Sequence, residues 1–440
     1  MRPRTIVRRP RILRTLLARS TVSKLVLLFL IWTIIEAHVI YYRIALSERQ
    51  ARSSAVLHQP TRVYIASLHW NNEKILRSSW NQGVLDLVKT LGADNVFVSV
   101  YESGSWDKSK DALRELDHEL GKMGVDKKIV LDGTTHADLI AGPPGKDGWV
   151  TVANGKKALR RIPYLSRLRN LSLQPLLELA ENGTTFDHVL FLGDVVFTVQ
   201  DVITLLQTNN GRYAAACSLD FSKPPLFYDT FALRDAHGHE HATQTWPYFR
   251  SAKSRSAITH GQPVPVASCW NGIVSMAPAP FLDTANPLRF RGIPDSLADP
   301  RYHLEGSECC LIHADNAAKP HASGSDSGVF VNPAVRVGYS RRAYDAVHSS
   351  SSSSSGASGS GSWLSLWQIW SGMWRNRVAR WATTPWFKEM MVRRRVRRWV
   401  DEGKRMAGGG NDEGGEREEK GGFCLVNEMQ VVVSNGWAHL

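Results

Sequence analysis

Short apolar runs alternate with longer stretches of helical periodicity between residues 62 and 217. The runs that predict buried strands are 63–68, 96–100, 129–131, 189–192 and 213–217. Between them, apolar side chains recur three and four positions apart over 75–91, 113–123 and 158–180, which predicts helices. Pro175 is expected to kink or split the last helix. The alternation predicts an α/β fold, a Rossmann-type, mainly parallel sheet flanked by helices.

The strand at 189–192 ends in a single carboxylate, Asp194, which follows Gly193. Thr198 then has the residue type and position of an N-cap, and it predicts a helix over 199–207. Ligands of open α/β sheets bind beyond the carboxyl ends of the strands. Asp194 is therefore a candidate metal ligand that would hold a divalent cation against a diphosphate. The alternative is that Asp194 only caps local structure.

The N-terminus has the pattern of a membrane anchor. Residues 1–24 are basic and contain no acidic residue, and 25–35 are continuously apolar. Glu36 and His38 interrupt this run, which continues to Tyr42. We predict a cytoplasmic basic tail (1–24), a transmembrane signal anchor (25–42), a stem (43–61) and a lumenal C-terminal bulk. The alternative is a mitochondrial presequence, which the dense apolar run disfavours.

The pattern changes after the predicted catalytic domain, 62–345. Residues 346–362 form a Ser/Gly-rich linker, and 363–406 are rich in Trp and Arg with an apolar stripe of helical spacing. This helical segment is expected to dock on the catalytic domain; the alternative is an interfacial helix on the lumenal leaflet. Residues 407–422 form a Gly-rich, charged tract that is predicted to be disordered, and 423–440 are predicted to return to the catalytic domain.

The net charge of +13 comes in large part from the basic N-terminal tail. A second basic cluster covers 393–398, but no nucleic-acid recognition fold accompanies it, so no nucleic-acid partner is predicted.

Five cysteines are too few for a disulfide scaffold, although a lumenal domain permits one or two bridges. Cys217 and Cys269 are the candidate partners, and Cys424 is expected to be free. A zinc site is disfavoured because no second Cys or His pair accompanies Cys309, Cys310 and His313. Two segments match the N-glycosylation rule, at Asn170 and Asn182; we predict Asn182 as the acceptor because it lies in a turn.

Several short blocks follow Asp194 in a characteristic order: Cys217-Ser-Leu-Asp220-Phe221, Tyr228-Asp229-Thr230, Ser268-Cys269-Trp270-Asn271-Gly272 and Glu305-Gly-Ser-Glu308-Cys309-Cys310-Leu-Ile-His313-Ala-Asp315. Together with further blocks at 62–72, 101–107, 167–170 and 288–295, they resemble, over 62–339, the fungal capsule-associated α-1,3-mannosyltransferase family, glycosyltransferase family 69. The resemblance implies a GT-A-like fold and a Mn²⁺- or Mg²⁺-dependent, retaining transfer of mannose from GDP-mannose. Many GT-A enzymes carry Asp-x-Asp at this strand end, whereas here only Asp194 is acidic.

The donor would be bound by basic, acidic and aromatic side chains. Arg167 and Arg169 are candidates for the diphosphate, since guanidinium groups suit phosphate; a solvated helix face is the alternative. Asp220 is a candidate contact for the donor sugar or a candidate second metal ligand. The alternative is that Asp220 caps a turn. Trp270 is a candidate to pack its ring on the sugar, and Asn271 is a candidate to bind the sugar through its amide. The alternative is that Trp270 is a core residue beside a turn.

The remaining candidates concern chemistry. Asp229 is assigned to the mannose hydroxyls, and Glu308 lies where GT-A enzymes place an acid near the acceptor hydroxyl. Glu305 could share that task, and a salt bridge to Arg289 or Arg291 is the structural alternative for these glutamates. His313 is a candidate late metal or phosphate ligand, or a buried core histidine.

These predictions describe a Golgi type II membrane glycosyltransferase that uses GDP-mannose and an α-mannoside acceptor in fungal glycan or polysaccharide synthesis. No nucleophile is evident, so a front-face transfer is expected. Two alternatives remain: a GT-A enzyme with another donor, and a non-catalytic membrane protein needed for capsule or cell-wall polysaccharide assembly or export.

Overall fold

The computed structural model describes residues 11–54, 56, 59–152, 155–316, 327–348, 362–408 and 417–440. Most of the predicted linker (346–362) and half of the predicted disordered tract (407–422) lie outside the described residues.

The described strands are β1 (Val63–His69), β2 (Val96–Ser103), β3 (Asp126–Asp132), β4 (Trp149–Thr151), β5 (Lys157–Leu159), β6 (His188–Leu192), β7 (Ala215–Lys223), β8 (Leu226–Phe227), β9 (Arg234–Asp235), β10 (Val264–Ser268), β11 (Ile273–Met276), β12 (Glu305–Gly306), β13 (Val329–Gly338), β14 (Leu425–Val426), β15 (Gln430–Val433) and β16 (Gly436–His439). The α-helices are α1 (Arg11–Ser54), α2 (Glu73–Ile75), α3 (Asn81–Leu91), α4 (Ser109–Lys122), α5 (His136–Ala141), α6 (Arg161–Glu181), α7 (Val199–Leu206), α8 (Ala252–Thr259), α9 (Ala279–Leu282), α10 (Asp295–Ala298), α11 (Glu308–Asp315), α12 (Arg341–His348), α13 (Leu366–Ala382) and α14 (Trp386–Gly408).

One large sheet organises the molecule, in the order β3-β2-β1-β6-β11-β7-β13-β10-β9, with β8 beside β7. Strands β3, β2, β1, β6, β7 and β13 run in one direction, and β11 and β10 run against them. The mainly parallel sheet with flanking helices confirms the predicted α/β fold class with a Rossmann-type sheet.

Both faces of the sheet are buried, because alternate residues of each strand enter different cores. In β1, Val63 and Ile65 belong to the core beneath α3, α4 and α7, whereas Tyr64 and Ala66 belong to the core that contains Leu173 of α6. This arrangement explains why the strands are nearly continuous apolar runs in the sequence.

Local predictions near the site agree with the structure at the start of α7 and differ from it at α6 and β7. Thr198 caps α7, and its side chain and that of Asp201 exchange hydrogen bonds with each other's backbone N–H groups. Helix α6 begins at Arg161 and continues through Pro175, so the predicted split is wrong. Asp220 lies within β7, which starts and ends later than predicted.

Helix α1 continues through most of the predicted stem, to Ser54. Its portion 21–51 is long and apolar enough to cross a membrane, judged by length and composition alone. Ile40 and Ile44 are buried against the domain, and the buried Glu48 carboxylate accepts a hydrogen bond from Arg336 at 2.9 Å.

Two disulfides hold distant segments together. Cys217–Cys269 joins the ends of β7 and β10, as the sequence suggested. Cys310–Cys424 ties α11 to the C-terminal segment, so the prediction of a free Cys424 is wrong. Among the described residues the free thiol is Cys309, which is buried.

Candidate active site

A cavity of ≈ 680 Å³ opens at the carboxyl ends of β1 and β6. Its floor includes Ser67 and Leu68 from β1 and the residues that follow Leu192 of β6. Helix α6, the turn after β8, the loop between β10 and β11, the start of α11 and the C-terminal hairpin β15–β16 complete the wall. This is the edge at which ligands of open α/β sheets bind.

Asp194 reaches this cavity because its loop is held by close backbone contacts. The Gly193 N–H donates to the Gly272 carbonyl at 2.9 Å, and a Cβ on Gly193 would lie 2.6 Å from that same oxygen. The Trp80 ring N–H donates to the Gly193 carbonyl at 3.0 Å. Asn72 Nδ2 donates to Asp194 Oδ2 at 3.1 Å, which orients the carboxylate. Gly193 is therefore required by the close approach of the turn at Gly272.

Further carboxylates lie beside the cavity. Buried Asp220 accepts hydrogen bonds from Asn271 Nδ2 at 2.9 Å, from the Asp229 N–H at 3.2 Å and from the Tyr339 hydroxyl at 3.0 Å. Burial, followed by the neighbouring Asp229 charge, raises the pKa of Asp220 to about 7. Burial also raises the pKa of Asp229, and Glu308 adds to that effect. These groups are therefore close enough to influence one another's charge.

Arg169 links the acidic and aromatic parts of the wall. Its Nε donates to Glu308 Oε1 at 3.0 Å, and its guanidinium lies 4.6 Å from the ring centroid of Trp270. Burial raises the pKa of Asp194, and the positive charge of Arg169 opposes that shift. Arg169 thus places one positive charge beside two carboxylates and an aromatic face.

The structure brings most predicted residues together, but not all. Arg169, Asp194, Asp229, Trp270 and Glu308 line the cavity, and Asn271 and Asp220 support it from behind. Arg167 is exposed and contacts the Tyr164 ring, away from the cavity lining.

Two other candidates take structural positions. His313 is fully buried, and its Nε2 lies 2.6 Å from the Cys269 carbonyl oxygen. The nearby sulfurs of Cys217 and Cys269 form a disulfide and are not free thiolates, so the surroundings favour the structural alternative for His313. Glu305 forms a buried ion pair with Arg160 at 2.7 Å. The sequence suggested Arg289 or Arg291 as partners of the glutamates; the partners are Arg160 and Arg169.

Sequence reasoning missed the side of the cavity that Arg161, Gln430 and Trp437 form. Arg161 lines it, stacks 3.8 Å from the Trp437 ring centroid and hydrogen-bonds Gln430. Arg234, fully buried at the cavity wall, donates to the carbonyl of Phe423 at 2.9 Å. The signal that could have suggested this wall is Trp437, an aromatic residue in the C-terminal segment that is predicted to return to the catalytic domain.

A sequence profile of the family described as Cryptococcal mannosyltransferase 1 matches residues 62–315. This chain belongs to that family. The Alpha-1,3-mannosyltransferase CMT1 of Cryptococcus neoformans var. neoformans serotype D (strain JEC21 / ATCC MYA-565) is 24% identical over 278 residues, which are 58% of this chain and 53% of the relative. The chain thus matches about half the length of this curated relative.

Two solved structures are similar at lower levels. One is the mannosyltransferase PcManGT from Pyrobaculum calidifontis in complex with GDP-Man and Mn²⁺, with a TM-score of 0.33 and 12% identity, covering 86% of this chain and 88% of that chain. The other is GalNAc-T7 with UDP, GalNAc and Mn²⁺, with a TM-score of 0.35 and 10% identity, covering 64% of this chain and 44% of that chain.

The cavity of this member of the Cryptococcal mannosyltransferase 1 family has oxygen donors that suit a hard divalent cation. Asp194 offers a half-buried carboxylate that accepts a hydrogen bond from Asn72, and burial raises its pKa. Asp220 and Asp229 already accept several hydrogen bonds. Mg²⁺ sites commonly use one or two carboxylates together with substrate phosphates. The arrangement therefore fits a cation held by Asp194 and by the ligand.

Proposed function

We propose that this chain is a retaining glycosyltransferase that moves mannose from GDP-mannose to an α-mannoside acceptor, forming an α-1,3 linkage in fungal glycan or polysaccharide synthesis. The observation that carries this proposal is the cavity at the ends of β1 and β6, where Asp194, Arg169, Trp270 and Glu308 meet in a member of this family. The family's named member, an α-1,3-mannosyltransferase, supports the donor sugar and the linkage.

Binding would use the charges and ring already in the wall. Arg169 and Arg161 line the cavity and can pair with the donor diphosphate, for which guanidinium groups are well suited. The Trp270 face can pack on the sugar ring. Asp229 has one oxygen, Oδ1, held by the N–H groups of Phe231 and Ala232 at 3.0 and 3.1 Å, so its carboxylate is fixed for the mannose hydroxyls.

The chemistry requires stabilisation of the leaving diphosphate and placement of the acceptor. A divalent cation such as Mn²⁺ or Mg²⁺, when bound at Asp194, would neutralise charge that develops on the leaving group. Glu308 is fixed by Arg169 and can orient the acceptor hydroxyl on the same face as the departing phosphate. Because donor and product are both α-linked, a front-face transfer retains configuration without a protein nucleophile.

The proposal includes a location. The apolar helix 21–51 after a basic tail supports a single-pass type II anchor with the catalytic domain in the Golgi lumen. The disulfides Cys217–Cys269 and Cys310–Cys424 are consistent with an oxidising compartment.

The deciding experiment compares wild type with Asp194→Ala and, as a matched control, Asp111→Ala on the exposed surface of α4. We expect wild type and control to transfer mannose from GDP-mannose to a simple α-mannoside with Mn²⁺. Asp194→Ala should lose activity and Mn²⁺-dependent GDP binding measured by calorimetry, with an unchanged melting temperature. Loss of a charge-stabilising metal ligand removes several kcal/mol from the transition state.

Other outcomes select the alternatives. If the protein transferred sugar from a UDP-sugar and not from GDP-mannose, the proposed donor would be wrong and the alternative of a GT-A enzyme with another donor would be favoured. A folded wild-type protein that binds no metal–nucleotide at all would favour a non-catalytic role in polysaccharide assembly or export. Full activity of Asp194→Ala would reject the metal assignment.

A further inference from the structure

A second cavity of ≈ 520 Å³ lies where α1 meets the domain, between α1, α8 and α13. We name it the anchor groove. Its apolar side is formed by Trp32, Ile35 and Val39 of α1. Its polar side carries the guanidinium groups of Arg43, Arg255, Arg377 and Arg380.

The anchor groove has more positive than negative charge. Glu36 is its one lining carboxylate, and both its oxygens accept from Nη2 of Arg377, at 2.6 and 2.7 Å. Nη1 of Arg377 is buried and has no hydrogen-bond partner in the described part of the chain. The charge of Arg377 is therefore balanced by Glu36, although its Nη1 makes no hydrogen bond to the described residues.

The other three arginines have hydrogen-bond partners that are not carboxylates. Arg43 Nη1 lies 3.0 Å from the ring Nε2 of His260, and Arg380 Nε donates to Asn376 Oδ1 at 2.9 Å. Arg255 donates to the carbonyl of Arg250. Within the described ranges no carboxylate lies within 4.0 Å of these three guanidinium groups.

The crowding has an electrostatic consequence. Burial lowers the pKa of Arg255, and the charge of Arg380 lowers it further. Burial likewise lowers the pKa of Arg380, with Arg377 and Arg250 adding to the shift. Asp235 gives Arg255 a weak opposing contribution. Partly desolvated like charges are costly without a counter-ion, so an anion in the anchor groove would relieve this repulsion.

The position of the anchor groove along α1, relative to the membrane, indicates which kind of anion could reach its arginines. The predicted anchor ends at Tyr42, and the next residue, Arg43, lines the anchor groove, so this arginine would lie at the lumenal end of the hydrocarbon core. The headgroup layer on each side of a bilayer is roughly 5–8 Å thick. Trp367 and Trp381 of α13 are 70% and 71% exposed, and exposed Trp is typical of membrane interfaces.

We propose that the anchor groove binds the phosphate headgroup of an anionic phospholipid, with the acyl chains along the apolar side of α1. The arginines supply the phosphate contacts, and the lipid fixes the catalytic domain against the lumenal leaflet. This inference rests on the proposed membrane anchor, and it is independent of the proposed catalytic activity.

The test uses the full-length protein in a mild non-ionic detergent with equal amounts of phosphatidylserine and phosphatidylcholine, and native mass spectrometry counts the retained lipids. The groove variant is Arg255→Gln with Arg380→Gln. The control, Arg77→Gln with Arg114→Gln, removes the same charge from outside the groove. Wild type and control should retain phosphatidylserine preferentially, and the groove variant should retain it roughly thirtyfold less, the effect of two basic residues near a membrane surface.

Three outcomes would overturn the inference: equal retention in groove variant and control, no preference for phosphatidylserine in wild type, or displacement of the lipid by inorganic phosphate at equal concentration, which would indicate a free-anion site. Melting temperatures of the two double variants show whether folding is preserved. If the groove variant does not fold, Arg380→Gln alone should weaken retention about fivefold. Alkaline extraction of the protein from native membranes separately tests the anchor.

Discussion

At the scale of single residues, the cavity is built from charged groups whose partners restrain them. Asp220 is the clearest case, because it accepts hydrogen bonds from Asn271, Asp229 and Tyr339 while fully buried. Burial, followed by the Asp229 charge, raises the pKa of Asp220 from 3.8 to about 7, and the three hydrogen-bond donors oppose this shift. Asp220 therefore supports the site and makes its stability depend on pH.

We predict that Asp220→Asn flattens the pH dependence of stability. The folded-state pKa of Asp220 lies above the unfolded value, so its contribution is fully present below about pH 4 and is lost as the pH rises through about 7. Wild type should lose stability over that window, and the variant should lose less. Thermal unfolding at a series of pH values measures this, with exposed Asp111→Asn as control; parallel curves for Asp220→Asn and wild type would contradict the assignment.

At the scale of elements, the C-terminal segment completes a site whose other parts come from distant, earlier parts of the chain. Strand β14 pairs with β12, and Val431 of β15 bridges to Arg160. Arg234 donates to the carbonyls of Phe423 and Cys424. The disulfide to Cys310 closes a sequence separation of 114 residues. The segment that carries Gln430 and Trp437 is thus fastened at several points.

We predict that Cys424→Ser destabilises the protein by about 2–5 kcal/mol, because the disulfide no longer restricts the unfolded chain. The change should also lower transferase activity, since Gln430 and Trp437 would be less firmly held at the cavity. Denaturant unfolding without reductant measures the first effect, and Cys309→Ser, which removes a free thiol, is the control. Equal stability of Cys424→Ser and the control would mean that the other contacts suffice.

At the scale of the whole molecule, α1 contains the membrane-length apolar segment and also packs directly on the catalytic domain. Thr33 accepts a hydrogen bond from the Trp370 ring N–H at 3.2 Å, and Glu48 pairs with Arg336. Most of the predicted stem belongs to this docked helix. Because the helix packs on the catalytic domain, the active-site cavity would be held at a fixed distance from the membrane.

We predict that the protein has lumenal topology and carries a glycan at Asn182. Asn182 is exposed at the end of α6, whereas Asn170 exchanges hydrogen bonds of 2.8 and 3.0 Å with the Phe290 backbone. Asn182→Gln should abolish a glycosidase-sensitive mobility shift, and Asn170→Gln should leave it. The domain should resist protease in sealed microsomes; digestion there, with no glycan, would place it in the cytosol.

The sequence by itself determined the features that depend on neighbouring residues. Apolar periodicity located β1, β2, β3, β6 and β7, but not the parallel strand β13. The Thr198 cap followed from residue type and position, and Asp194 followed from its place at a strand end. The pairing of Cys217 with Cys269 was also among the candidates. These inferences succeeded because propensity, capping and alternation act within a few residues of the chain.

Only the tertiary structure decided which distant side chains meet. The Arg169–Glu308 pair, the Cys310–Cys424 bridge and the Arg161–Trp437 stack each join residues more than a hundred positions apart. Such contacts depend on how whole elements pack. The sequence offers several possible partners of the same charge or residue type for each side chain, and it does not indicate which of them lies close. Arg167 and Arg169 differ by two positions on one helix, and that separation of about 200° turns one toward the cavity and the other toward solvent.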